Sequence, residues 1–143
     1  MKKYDLCIIG GGPSGYAAAM RAIDFKKNVL LIEQDKIGGA GIYNGALSSK
    51  TFWEISKEFY SFNKKMVHLG LPQSEIHFRN VLQEVNEAVE ERSKQLENHL
   101  KLVIQNHPEL FNFLKGKARL LSKSVIEVKT NFGSENVRAD NII

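Results

Sequence analysis

Gly10-Gly11-Gly12-Pro13-Ser14-Gly15 is the stretch that decides the fold of this 143-residue chain. It stands between the apolar run Tyr4–Ile9, which predicts a buried strand, and the alanine-rich run Tyr16–Ala22, which predicts a helix. A second apolar run, Val29–Ile32, predicts another strand, and Glu33 follows it directly. Strand, glycine turn, helix, strand and acid together form the dinucleotide-binding fingerprint. The predicted fold class is therefore α/β, with a Rossmann-like parallel sheet that starts with a β-α-β unit.

Each residue type in the glycine turn has a physical task. Gly10 allows a tight turn out of the strand, and Gly15 lets the helix pack closely on that strand. Gly12 has no side chain, so a pyrophosphate can approach the backbone there. Pro13 lacks an N–H and suits the first position of a helix, with Ser14 in the same turn. The helix N-terminus then offers unpaired N–H groups and a partial positive charge to phosphates.

Glu33 lies 18 residues after Gly15, close to the spacing of about 20 expected for the acid that binds ribose hydroxyls. A carboxylate at this position would repel a 2′-phosphate, which argues against NADP here. The fingerprint alone does not separate NAD from FAD. The plain structural alternative is a glycine-rich turn that binds no ligand.

Composition excludes several other function classes. The net charge of +4 comes from lysines scattered along the chain, which indicates a solvated surface rather than nucleic-acid binding. The single cysteine, Cys7, cannot form an intramolecular disulfide and fits a reducing compartment. No apolar run approaches the roughly 18 residues that a membrane helix needs. The four histidines show no ligand spacing, so no metal site is predicted, and we expect a cytoplasmic protein.

Between the β-α-β unit and the C-terminal part, the sequence predicts a two-helix insertion. Apolar residues at helical spacing run from Phe52 to Leu69, and Gly70-Leu71-Pro72 ends that helix. A second helix is predicted from about Ser74 or Phe78 to Gln105. Its apolar stripe could form a coiled-coil dimer, but the stripe is interrupted at Arg92, so packing on the parent domain is favoured.

The C-terminal third of the chain predicts a small antiparallel β-meander. Its three strands are Gly116–Leu121, Ser124–Lys129 and Val137–Ile143, with a turn between the second and third. The segment Glu109–Leu114 is interpreted as a connection without regular structure.

The loop Ile37–Lys50 makes the chain resemble a known family. It aligns without a gap with the L-G-G-T-C-x-N-x-G-C-x-P-S-K loop of the FAD-dependent pyridine nucleotide–disulfide oxidoreductases, which include dihydrolipoamide dehydrogenase. The segment Gly116-Lys117-Ala118 also resembles the family segment whose backbone lies near the FAD adenine. The resemblance implies an FAD-binding domain. The further cofactor-binding positions that it implies are Gly38, Gly39, Gly45, Lys50 and Ala118. It places Lys50 near the flavin, where the plain alternative is an exposed helix residue.

Two departures from the family pattern bear on activity. The redox cysteines fall on Gly41 and Ala46, neither of which can form a thiolate, so disulfide reduction by this loop is not expected. Tyr43 and Ser48 also replace family residues, which suggests natural divergence. No catalytic residue is assigned.

The resemblance also implies that residues 1–143 are a partial, truncated FAD-binding domain, without the NAD-binding and dimerisation domains of the family. In a complete version, hydride would pass from NAD(P)H through FAD to an acceptor that is not a disulfide. The alternative is a non-catalytic relic or assembly module with weak or no flavin binding. Both interpretations leave open whether the chain forms a homo-oligomer or binds a partner chain that supplies the missing domains.

Overall fold

The computed structural model describes all residues, 1–143, and contains six strands and four helices. The chain forms two compact units, Met1–Gly39 with Gln95–Ile143, and Ala40–Lys94. The elements in chain order are β1 (Lys3–Ile9), α1 (Pro13–Asp24), β2 (Val29–Glu33), α2 (Gly39–Tyr43), α3 (Ala46–His68), α4 (Phe78–Asn106), β3 (Phe111–Lys115), β4 (Lys117–Leu120), β5 (Val125–Thr130) and β6 (Gly133–Ile142).

One mixed sheet organises the first unit, with strand order β3-β2-β1-β6-β5-β4. Strands β1, β2 and β3 are parallel, and β6 also runs parallel to β1, from Lys3 opposite Arg138 to Cys7 opposite Ile142. The first half of β6 pairs with β5 in antiparallel fashion, and β5 pairs with β4 in the same way. The predicted parallel sheet and antiparallel meander are both confirmed, and the shared strand β6 joins them.

The core of the first unit lies on both faces of the sheet. On one face, α1 and the C-terminal part of α4 pack on β1, β2 and β3 through residues that include Ala19, Leu100 and Leu31. On the other face, the meander packs over the parallel strands, with Ile126 and Val128 fully buried there. Strand β2 is buried along its whole length, as expected for a parallel strand covered on both faces.

The two predicted helices are present, and α3 and α4 carry most of the second unit. Helix α3 ends at His68, one residue before the predicted end, and Gly70 follows with a positive φ of 70°. Helix α4 starts at Phe78, and its Leu96, Leu100 and Val103 belong to the core of the first unit, which confirms packing on the parent domain for that stretch. None of the helices has the length and apolar character that a bilayer crossing requires.

The prediction that Glu109–Leu114 is a connection is wrong in part, because Phe111–Lys115 forms strand β3. It pairs with β2 over five residues, from Phe111 opposite Val29 to Lys115 opposite Glu33. Its five residues show no clean alternation, because Phe113 and Leu114 are adjacent apolar residues, and so short a segment cannot be distinguished from a loop by its pattern. The conformation of Phe111–Lys115 is determined by pairing with the neighbouring strand β2 rather than by local propensity.

Burial of Cys7 gives a prediction for alkaline pH. The side chain is fully buried in β1, and desolvation raises the pKa of its thiol from 9.0 to about 11. The folded state therefore keeps this proton at a pH where the unfolded chain has lost it. We expect this contribution to stability to be present below pH 9 and to decline by up to about 1.4 kcal/mol per pH unit as pH rises towards 11.

Urea unfolding of the wild type and of Cys7→Ala between pH 8 and 11 measures this effect. The alkaline slope of the wild type should be steeper than that of Cys7→Ala. Parallel slopes in the two proteins would show that the thiol is not protected by burial.

Candidate functional site

The glycine turn has the geometry that its sequence predicts. Gly10 has a φ of 109°, a conformation that side chains disfavour, and its N–H donates to the Ile32 carbonyl at 2.8 Å. At Gly15, a Cβ atom would lie 2.0 Å from the Gly10 carbonyl oxygen. Only glycine at position 15 therefore allows α1 to approach the end of β1 this closely, which confirms the packing role expected of it.

The start of α1 provides a cradle for an anion. Gly12 is the N-cap, and Pro13 is the first helical residue, the position predicted for this proline. The Tyr16 N–H donates to the Gly12 carbonyl at 2.9 Å, so the N–H groups of Ser14 and Gly15 have no acceptor within the helix. A Cβ atom on Gly12 would meet no heavy atom within 4 Å. The backbone is thus open to a phosphate at this point, and the residues present fit a pyrophosphate.

Glu33 is buried at the end of β2 and accepts two backbone hydrogen bonds. Its Oε2 accepts from the Gly11 N–H at 2.6 Å, and its Oε1 accepts from the Asp35 N–H at 2.8 Å. The carboxylate therefore ties the glycine turn to the segment after β2. Each oxygen keeps a second acceptor position, so the ribose role predicted for Glu33 remains chemically available.

A cavity of about 260 Å³ brings three of the predicted residues together within the first unit. Gly10, Glu33 and Ala118 all line it, although Ala118 is 85 residues after Glu33 in the chain. The topology explains why Ala118 and Glu33 line the same cavity, because β4 follows β3 directly and β3 lies beside β2. The carboxyl ends of parallel strands are where ligands of α/β folds bind.

Gly38 and Gly39 lie against the glycine turn. The Gly38 N–H donates to the Gly11 carbonyl at 2.7 Å, and both glycines have positive φ, 97° and 49°. A Cβ atom on Gly39 would lie 3.4 Å from the Gly12 Cα. These two residues hold the backbone next to the cradle without adding side chains to it.

The remaining predicted residues belong to the second unit. Gly45 is the N-cap of α3, and Lys50 lies exposed in its second turn. Tyr43, the last residue of α2, takes part in a 2.5 Å hydrogen bond between its hydroxyl and the Ser93 hydroxyl. Gly41 lies in α2, and Ala46 begins α3, at the positions that the resemblance aligns with the redox cysteines.

The sequence profile of the pyridine nucleotide-disulphide oxidoreductase family matches residues 4–143. The chain belongs to this family. Its relatives are FAD flavoproteins, and the region matched corresponds to their N-terminal FAD-binding part. The predicted resemblance is therefore confirmed.

Two curated relatives show how much of such a protein the chain represents. A dihydrolipoyl dehydrogenase of Acholeplasma laidlawii is 28% identical over 92% of this chain and 34% of its own length. A soluble pyridine nucleotide transhydrogenase of Marinobacter nauticus is 29% identical over 94% of this chain and 28% of its own length. The chain thus spans about a third of the length of these relatives.

A solved structure shows the same fold. The HOCl-induced flavoprotein disulfide reductase RclA from Escherichia coli, in its Cu(II) complex, superposes with a TM-score of 0.73 at 23% identity. The match covers 99% of this chain and 28% of that one.

Two residues of the site were missed by sequence reasoning. Gly11 donates to Glu33, and a Cβ atom there would lie 2.5 Å from the Ile37 Cδ1. Gly116 lines the cavity beside Ala118, and its N–H donates to the Glu33 carbonyl at 2.9 Å. Both residues lie inside motifs that the sequence analysis quoted, but their contacts are visible only in the fold.

Substituting Glu33 should affect both stability and ligand binding. Glu33→Ala leaves the Gly11 and Asp35 N–H groups without their acceptor, so we expect the free energy of unfolding to fall by about 1–3 kcal/mol. FAD affinity should fall by about tenfold if the carboxylate also binds the ribose. Urea unfolding and a flavin titration measure the two effects. Glu54→Ala, which removes an exposed carboxylate from α3, is the matched control and should change neither.

Proposed function

We propose that this chain binds FAD, with the pyrophosphate at the N-terminus of α1 and the adenosine in the cavity beside Glu33. The observation that carries the proposal is the open cradle at Gly12, where no heavy atom beyond Gly12 and its two chain neighbours lies within 4 Å of the Cβ position. Membership of a family of FAD flavoproteins supports FAD over NAD as the occupant.

The chain's own residues have distinct tasks in this proposal. The N–H groups of Ser14 and Gly15, together with the dipole of α1, hold the pyrophosphate. Glu33 accepts hydrogen bonds from ribose hydroxyls through the acceptor positions that its two backbone partners leave free. Ala118 presents a small side chain to the adenosine cavity.

In a complete protein we infer that the activity is oxidoreduction with NAD(P)H, because FAD supplies reversible hydride acceptance when bound. The electron acceptor would not be a disulfide handled by the loop at Gly41 and Ala46, because neither residue can form a thiolate. Lys50 is proposed to place a positive charge by the flavin, which would stabilise negative charge on its reduced form.

A cytoplasmic location fits the unpaired Cys7.

Binding titrations with FAD, ADP, FMN and riboflavin test the proposal. The fluorescence of FAD should be quenched or shifted when FAD binds. ADP should compete with FAD, because both molecules contain the adenosine and the pyrophosphate. FMN and riboflavin lack these groups and should bind at least tenfold more weakly. Equal affinity for FAD and FMN would place recognition at the flavin ring and contradict the assignment to the glycine turn.

A second candidate function, assembly without flavin, is favoured by the surface of the second unit. No residue of α3 is buried, and Trp53 and Phe78 are each about two-thirds exposed beside an apolar groove of about 500 Å³. Light scattering coupled to size exclusion separates the candidates. An assembly that carries no flavin would favour the second, whereas a monomer that retains FAD would exclude it.

A further inference from the structure

We propose that the first unit contains a phosphate-binding pocket formed by Lys115, Lys117 and Lys129. These lysines line a cavity of about 450 Å³ together with Gln34, Asp35, Gly116 and Asn131. The ligand class is a small oxyanion, a phosphate group. The proposal does not depend on FAD binding, although the pocket adjoins the cavity of the glycine turn and shares Gln34, Gly116 and Lys117 with it.

The backbone brings the three lysines together. Strand β3 ends at Lys115 and β4 begins at Lys117, with Gly116 between them. Lys117 lies directly opposite Lys129 in the antiparallel pairing of β4 with β5. A Cβ atom on Gly116 would lie only 2.7 Å from the Lys129 carbonyl oxygen. Glycine at this position therefore allows the close approach that sets the lysines around one pocket.

The charges in the pocket are not balanced by the protein. None of the three lysines has a carboxylate within 4.0 Å, whereas Arg119, on the same hairpin, is paired with Glu127 at 3.0 Å. Like charges directly opposite one another on a sheet are destabilising. Asp35 is the only acidic residue of the lining, which leaves an excess of two positive charges. A bound phosphate would compensate this excess, since lysine binds phosphate as a point charge.

The phosphate could be free or carried by a nucleotide. The neighbouring cavity contains Glu33, the predicted ribose acid, so an adenosine there could extend a further phosphate into the lysine pocket. The chemistry that the lysines recognise is the same in both cases. Inorganic phosphate and adenosine 3′,5′-bisphosphate are the two probes that distinguish them.

An NMR titration of the whole chain with sodium phosphate, against sodium chloride at matched ionic strength, tests the pocket. We expect saturable shifts of the Gly116 and Lys117 amide signals with phosphate and none with chloride. The double variant Lys117→Gln/Lys129→Gln should lower phosphate affinity by about tenfold or more. Lys64→Gln/Lys65→Gln, which removes the same charge from exposed positions of α3, should leave it unchanged.

Two results would overturn the proposal. Shifts that grow linearly with either salt would show general screening rather than a site, and equal phosphate affinity in the two double variants would place binding elsewhere. Tighter binding of the bisphosphate than of phosphate would assign the pocket to a nucleotide-borne group, and equal binding would assign it to free phosphate. Gly12→Val, expected to remove FAD binding, should leave the phosphate-dependent shifts of the Gly116 and Lys117 amide signals unchanged, so failure of one proposal is distinguishable from failure of the other.

Discussion

Replacing Gly12 with valine is expected to abolish FAD binding while leaving the fold intact. The Cβ position of Gly12 points into open space, and apart from Gly12 and its two chain neighbours no heavy atom lies within 4 Å of it. A valine side chain would occupy the space in which the pyrophosphate approaches the backbone at the start of α1. Loss of that contact removes several charge-assisted hydrogen bonds, so we expect FAD affinity to fall by a factor of about one hundred or more.

The measurement is a fluorescence titration with FAD, accompanied by thermal unfolding of each protein. Gly12→Ala, with a smaller side chain, should weaken binding less than Gly12→Val. Both variants should unfold close to the wild-type temperature. Unchanged FAD affinity in folded Gly12→Val would refute the placement of the pyrophosphate.

Replacing Gly15 with alanine should instead damage the fold. Its Cβ would lie 2.0 Å from the Gly10 carbonyl oxygen and 3.2 Å from the Ile8 side chain. The first of these neighbours is backbone, so relief requires α1 to move away from β1. We expect the free energy of unfolding to fall by about 2–3 kcal/mol, as is typical of overpacking, despite the better helix propensity of alanine.

Gly12→Ala is again the matched control, because the same methyl group added three residues earlier meets nothing. Urea unfolding of the two alanine variants isolates the effect of the contact. Equal stability of Gly15→Ala and Gly12→Ala would mean that helix α1 does not depend on close packing at Gly15.

The sequence allowed the β-α-β start, the two long helices and the meander to be predicted because each carries a strong local pattern, whereas the short helix α2 lies in a segment predicted as a loop. The glycine turn is the clearest example, since Gly10 and Gly15 are required by the backbone geometry itself. Strand β3 could not be predicted, because its five residues acquire their structure from pairing with β2.

Part of the candidate site could be proposed from the sequence, but its contacts could not be predicted. The position of Glu33 follows from spacing, whereas its two backbone hydrogen bonds depend on how the chain turns at Asp35 and Gly11. The lysine pocket was not predictable at all. Its charges converge only because β4 and β5 pair in the register that sets Lys117 opposite Lys129, and residue patterns did not fix that register.

The most direct test of the central claim is the absorbance spectrum of the purified chain after incubation with FAD and removal of unbound ligand. The released chromophore is then identified by mass. If the glycine turn binds FAD, the chain shows a flavin spectrum and releases near-stoichiometric FAD on denaturation, and Gly12→Val loses both. A folded chain that stays colourless after incubation with FAD would contradict it.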